Sequence, residues 1–309
     1  RKLWVSAPSS TQASDGLGPL YNARACQTCH IKDGRGRLPA PGEKAVGIFL
    51  RVSVPAPDAA AMTAIERYLA ALDGDVPRTR PDPVYGEQLQ NFSTAGQRAE
   101  AEPSVTWEEI PVALAGGEVV HLRRPDWRAE RRPCERRHRS DDADGDGISG
   151  RANIVWSEEF GQPMLGRFGW KAGAPTVRAQ SAGAFSGDMG LSTWLHPDPW
   201  GECTEAQADC RAAPDGRGEE GMEVDRHSLD LVAFYARNLG VPAREGVDDR
   251  QVLQGKAMFH AAGCTACHTP RHVTHRLADR PENSFQLIWP YTDLLLHDMG
   301  EGLADGRPE

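Results

Sequence analysis

The sequence has no excess of basic charge, few aromatic residues and no long apolar run. Lys and Arg number 35 against 44 Asp and Glu, for a net charge of −9. A general nucleic-acid binder carries a basic face, so that class is excluded. No stretch approaches the ~20 apolar residues of a membrane span, so no transmembrane segment is expected in this chain. Aromatics make up 7% of the residues and mean hydropathy is −0.53, low for a well-filled core. An initiator Met and a charged-then-apolar leader are also missing. The chain opens at Arg1 and stops in the loop-like GEGLADGRPE, so we expect a fragment at both ends. The missing leader therefore says nothing about export.

Seven cysteines are present, and their spacing is informative. Cys26 and Cys29 form one Cys-x-x-Cys followed by His30, and Cys264 and Cys267 form another followed by His268. Two residues between the cysteines set the sulfurs at the separation of the two vinyl groups of a haem, where each can form a thioether. The following His then faces the iron from the proximal side. We read both motifs as covalent c-type haem sites, and a buried porphyrin would supply apolar volume that the side chains lack. Zinc is a competing reading, but the pairs lie far apart in sequence and lack knuckle-like turns. A dithiol redox pair is another, but neither pair follows a strand pattern. Gly255 and Phe259 precede the second motif as G-x-x-x-F, resembling the N-terminal helix of class I cytochrome c domains. Cys203 and Cys210 read as a small surface disulfide, pointing to an oxidising compartment, with two unpaired thiols as the alternative. Cys134 has no explanation.

The spacing of Met62, Ile65, Leu69 and Leu72 predicts a helix with one apolar stripe, ended by Gly74. Alternation from Val105 to Leu114 and from Glu118 to Leu122, around Ala115-Gly116-Gly117, predicts a β-hairpin. Residues 123–139 hold eight arginines and no apolar period. They read as a solvated basic loop, a patch for an acidic redox partner, or a sequence defect. Two further helices are expected over 226–240, with Leu229, Val232, Ala233, Ala236 and Leu239 on one side, and over 248–263, running into the second motif. Asp142, Asp144 and Asp146 before Gly147, with the Ile148 carbonyl, match the first half of an EF-hand-type loop and predict a calcium site. Its twelfth position is Asn153 rather than a bidentate Glu, which weakens affinity unless Glu158 or Glu159 helps.

With both haem motifs placed, the chain resembles the di-haem oxidoreductase family, often labelled predicted thiol oxidoreductases. The resemblance runs nearly end to end through YNARACQTCHIKDGRG, VTWEEIPVALAGGEVVHLRR, DDADGDGISGRANIVW, LGRFGWKAGAPTVRAQSAGAFSGDMG, LDLVAFYARNL and GCTACHTP. More distantly, GWKAGAPTVRAQSAGAF is similar to a segment of the bacterial di-haem cytochrome c peroxidases. It implies a mainly α-helical fold of two cytochrome-c-like haem domains with a β-containing insertion, the C-terminal domain truncated. The division expected is an N-terminal haem domain over 1–240, with the insertion at about 75–160, and an incomplete C-terminal domain over 241–309.

Several positions depart from the peroxidases. Phe168 stands where they carry a distal His, leaving an open sixth site. Their peroxide-cleaving Gln and Glu have no clear match; His196, Glu202, Gln88 and Glu108 are the candidate substitutes, each read first as a surface residue. Trp170 is read as core packing rather than an electron relay between haems. Met299 is a candidate sixth ligand for the second haem, and His297 a lesser one. The resemblance implies a di-haem oxidoreductase with one haem for electron transfer and one for a small oxidant such as hydrogen peroxide. It would work in the periplasm or outside the membrane with a small cytochrome or cupredoxin as redox partner. A non-enzymatic electron carrier is the rival reading. Thiol oxidoreduction, which matches the family's label, conflicts with the adjacent histidines.

Overall fold

The computed structural model describes residues 3–9, 14–40, 43, 46–56, 62–73, 79–103, 105, 107–113, 119–125, 150–241, 243–278 and 280–297. Among them the α-helices are α1 (Cys26–Cys29), α2 (Ala64–Asp73), α3 (Val177–Met189), α4 (Ala208–Arg211), α5 (Arg226–Arg237) and α6 (Arg250–Ala261). Helix makes up 28% and strand 16%, so the expectation of a mainly α protein is corrected. The described fold is mixed, with short helices tied together by antiparallel pairs of strands. The cause lies in composition: 32 glycines and 23 prolines interrupt helical runs and leave two-residue ladders between turns.

α3 is the central element. Thr176 caps its start, its hydroxyl accepting from the Ala179 N–H, and Gly190 ends it in the left-handed region at φ 64°. Ala182, Phe185 and Met189 form its buried face and pack with Trp4, Leu17, Leu191, Val224 and Leu229. α5, capped by Asp225, lies against it through Leu229 and Ala233. The predicted stripe of α5 is thus buried at its first two turns, and only Leu239 lies exposed. α2 matches the predicted span less well, because Met62 is buried while Ile65 and Leu72 face solvent.

The backbone before the first motif meets the end of α3 directly. Gly18 N–H donates to the Met189 carbonyl at 2.9 Å, and the Asn22 and Ala23 N–H groups donate to that of Asp188 at 2.8 and 3.0 Å. A Cβ on Gly18 would sit 2.5 Å from the Gly190 Cα, so this crossing requires glycine. Leu20–Tyr21 pairs with Phe92–Ser93, and Leu50–Arg51 with Gln88–Leu89, bringing three distant segments to the same end of α3.

The predicted hairpin forms as Trp107–Ala113 against Val119–Pro125. Its second strand runs further than expected and takes in the start of the arginine run, with Arg123 opposite Glu109 and Arg124 opposite Glu108. Cys134 and the candidate calcium residues Asp142, Asp144, Asp146 and Ile148 lie outside the described residues. Just after that acidic loop, Gly150–Arg151 pairs with Leu296–His297. The structure joins Cys203 to Cys210, with Cα atoms 6.2 Å apart, in a cluster with Leu20 and Trp200. That disulfide is buried, which corrects its reading as a surface feature. No described helix is long and apolar enough to cross a membrane.

Candidate functional site

The two motifs share two local contacts, although the first is an α-helical turn and the second a 3-10 turn. The His30 N–H donates to the Cys26 carbonyl at 2.9 Å, and the His268 N–H to the Cys264 carbonyl at 2.9 Å. Each closes one tight turn that gathers two sulfurs and an imidazole. The side chains match too. His30 Nδ1 donates to the Gly34 carbonyl at 2.9 Å and His268 Nδ1 to the Tyr291 carbonyl at 3.1 Å. A carbonyl can only accept, so in both rings Nδ1 carries the proton and Nε2 keeps its lone pair. That is the tautomer and orientation a metal-ligating imidazole needs. Both rings are exposed.

Other expected ligands behave differently. His297 Nε2 lies 2.6 Å from Asp293 Oδ2 and its Nδ1 lies 3.6 Å from Cys267 Sγ, so both ring nitrogens are engaged. Met299 lies outside the described residues. Around the second motif, α6 runs into Gly263 at φ 74° and the turn Cys264–Ala266. Phe259, from G-x-x-x-F, packs its ring 6.1 Å from His268 and 5.7 Å from Tyr291.

The first motif rests on a buried polar layer. Gln88 Nε2 donates to Asn22 Oδ1 at 2.7 Å and to Asp188 Oδ1 at 3.0 Å, and Gln90 Nε2 donates to the Gly187 carbonyl at 3.0 Å. Glu202 accepts from the Glu87 N–H at 3.2 Å. Gln88 is 1% exposed, and the Oε1 atoms of Gln88 and Gln90 have no hydrogen-bond partner among the described residues. Burial pushes the Asp188 carboxyl up, against the Gln88 hydrogen bond and the charges of Arg51 and His30. Burial, helped by the neighbouring charge of Glu87, pushes Glu202 up to about 7. The readings of Gln88 and Glu202 as surface residues are therefore corrected. His196 is half-buried, and burial lowers its pKa. Trp170 is 84% exposed, so it is not a core residue.

The donor set fits haem better than its competitors. Burial, then the charge of Asp188, raises the Cys29 thiol to about 11, and burial also raises that of Cys26. Zinc sites and redox dithiols both depend on thiolates, which such surroundings disfavour. Among the described residues no three His, Cys, Asp or Glu side chains converge as a metal ion would require. Cys26, Cys29 and Cys264 carry free thiols beside their exposed imidazoles.

The class these paired motifs define is a redox protein with two prosthetic sites. Comparison with known families makes it specific: the chain matches the model described as "Di-haem oxidoreductase, putative peroxidase" over residues 2–139 and 137–309. The chain therefore belongs to the di-haem oxidoreductase family. The two matched pieces meet at 137–139, inside the arginine-rich run. No curated protein and no solved structure matched the chain.

Proposed function

We propose that the protein is a c-type di-haem peroxidase, with one haem bound through Cys26 and Cys29 and the other through Cys264 and Cys267. His30 and His268 are the proximal ligands. The observation that carries this reading is their shared geometry, each ring anchored by Nδ1 on a backbone carbonyl at 2.9 or 3.1 Å and presenting Nε2 outward. When bound, the haems would supply one-electron redox centres, one for electron transfer and one for a small oxidant.

The chain's own residues supply the protons. Reduction of hydrogen peroxide to two waters consumes two electrons and two protons. Asp188 and Glu202 are both carboxyls whose burial favours the protonated form, and both adjoin the last turn of α3 beside the first motif. Gln88 ties Asp188 to Asn22 and holds it in place. Phe168, in place of a distal His, leaves no imidazole to close a site. Electrons would come from a small cytochrome or cupredoxin. The Cys203–Cys210 disulfide supports a site of action outside the cytoplasm, in the periplasm for a bacterium. The acidic loop Asp142, Asp144, Asp146 and Ile148 would hold one calcium ion.

The test is carbon monoxide binding and peroxide turnover by the full chain, exported with a cytochrome c maturation system. CO binding at one reduced haem, with peroxide consumed at the expense of a reduced cytochrome, is the expected result. Two haems that bind no CO and leave peroxide untouched would make the protein an electron carrier.

A further inference from the structure

The two motifs are alike at their histidines and differ at their second cysteines. Cys29 has Asp188 among its charged neighbours, and a carboxylate repels a thiolate. Cys267 instead faces an imidazole. His297 Nδ1 lies 3.6 Å from its sulfur, within reach of a thiol hydrogen bond. The opposite ring nitrogen, Nε2, lies 2.6 Å from Asp293 Oδ2. A carboxylate can only accept, so Nε2 carries the proton and Nδ1 turns its lone pair to the thiol. The side chains of His297 and Asp293 are 14% and 16% exposed, so the row is largely shielded from water.

The backbone holds the row in place. The Asp293 N–H donates to the Cys267 carbonyl at 3.1 Å, and the Leu295 N–H donates to Asp293 Oδ1 at 2.9 Å. Leu296–His297 pairs with Gly150–Arg151. A Cβ on Gly150 would lie 2.9 Å from His297 Cε1, so glycine there leaves room for the ring. Asp293, His297 and Cys267 therefore stand as orienting carboxylate, base and sulfur nucleophile.

In a cysteine that carries haem, the sulfur has one reaction to perform, addition to a vinyl group. We propose that His297, oriented by Asp293, is the base that closes the Cys267 thioether, so that the second motif assists its own haem attachment. The sulfur bonds to the inner vinyl carbon as His297 Nδ1 takes the thiol proton. A proton then passes to the outer vinyl carbon, which becomes a methyl group. One S–H bond and one C=C π bond are lost, one C–S and one C–H bond are gained, and no electron enters or leaves. The 291–297 segment must reach the motif before Cys267 reacts. This inference rests on the reading of the protein as a c-type di-haem chain, and it gives His297 a role in assembly instead of iron ligation.

The test is peptide mass spectrometry on the full chain exported with a cytochrome c maturation system. It counts the thioethers at each motif, and iodoacetamide marks any thiol left free. The wild-type chain should carry two thioethers at each motif. In His297→Gln the share of Cys267 that iodoacetamide labels should rise roughly tenfold or more. Cys264 should stay bonded, and the first motif, unchanged, serves as the control for folding and export. Asp293→Asn should behave like His297→Gln, because its amide donates to Nε2 and forces the ring proton onto Nδ1, facing the thiol. Asp293→Glu keeps a carboxylate and should restore the bond. A purely structural hydrogen bond would be served by Asn as well, so equal attachment in the Asn and Glu variants overturns the proposal. Two thioethers at the second motif in His297→Gln also overturn it and leave the haem reading standing. So does a wild-type chain in which Cys264 carries haem and Cys267 stays a thiol. Should these variants lose the first haem too, Gly150→Ala, which crowds the His297 ring, should show the same Cys267 labelling, and its absence overturns the proposal. A wild-type chain without covalent haem at either motif refutes the haem reading, and this inference with it.

Discussion

At the scale of residues, what matters about Glu202 is its surroundings. Gly187 faces it so closely that a Cβ there would lie 3.0 Å from Oε1, and the nearby charge of Glu87 opposes its ionisation. Its pKa rises from an ordinary 4.5 to about 7, so the folded state holds a proton that the unfolded state releases. Stability should therefore fall as pH rises from about 4.5 to about 7, by an upper bound of roughly 3 kcal/mol. Urea midpoints between pH 4 and 8 check this, and Glu202→Gln should flatten the dependence. Asp188→Asn keeps the Gln88 contact but removes a proton-holding group. It should slow peroxide turnover by about 10²-fold or more with haem content unchanged. An unchanged rate would remove Asp188 from proton delivery. None of this burial was legible in the sequence. Gln88 and Asp188 are 100 positions apart, and no local pattern marks a polar residue as buried when its partner is that distant. The two histidines were legible, because Cys-x-x-Cys-His sets its own backbone turn within five residues.

At the scale of elements, the crossing of α3 and α5 carries the core. Leu229 is fully buried between them. Leu229→Ala should cost about 2–5 kcal/mol through lost burial and the cavity left behind, read as a lower denaturation midpoint. The helix begun at Arg226 was legible from its apolar spacing, although it ends at Arg237, short of the expected stop at Gly240, and the hairpin at 107–125 was legible from alternation around glycines. The fold class was not. The mainly α expectation came from the likeness to two cytochrome-c-like domains, whereas glycine and proline leave two-residue ladders that form only through partners far along the chain. The disulfide was legible as a spacing but not as a buried feature, since Leu20 and Trp200 approach it from outside its own loop. Its seven-residue separation corresponds to about 2–3 kcal/mol in the chain-entropy model. Cys203→Ala with Cys210→Ala should lower the melting temperature, and a reductant should then have no further effect at this site.

At the scale of the whole molecule, family membership and matched motif geometry bear on one claim: two haems attached by equivalent local chemistry at two distant points of the chain. A low apolar content is consistent with prosthetic groups that complete the interior, an inference composition alone suggested. Membership was legible because the matching segments run in order along the chain. The arginine-rich run, where the family match is broken into two pieces, enters the described residues only at 123–125, in the second strand of the hairpin. The most direct measurement is a pyridine haemochrome assay after acid–acetone extraction, on the full chain and on two variants, Cys26→Ala with Cys29→Ala and Cys264→Ala with Cys267→Ala. Two extraction-resistant haems per chain, falling to one in each variant, is the predicted result. Haem that extracts completely, with the motif thiols still titratable, would contradict the account.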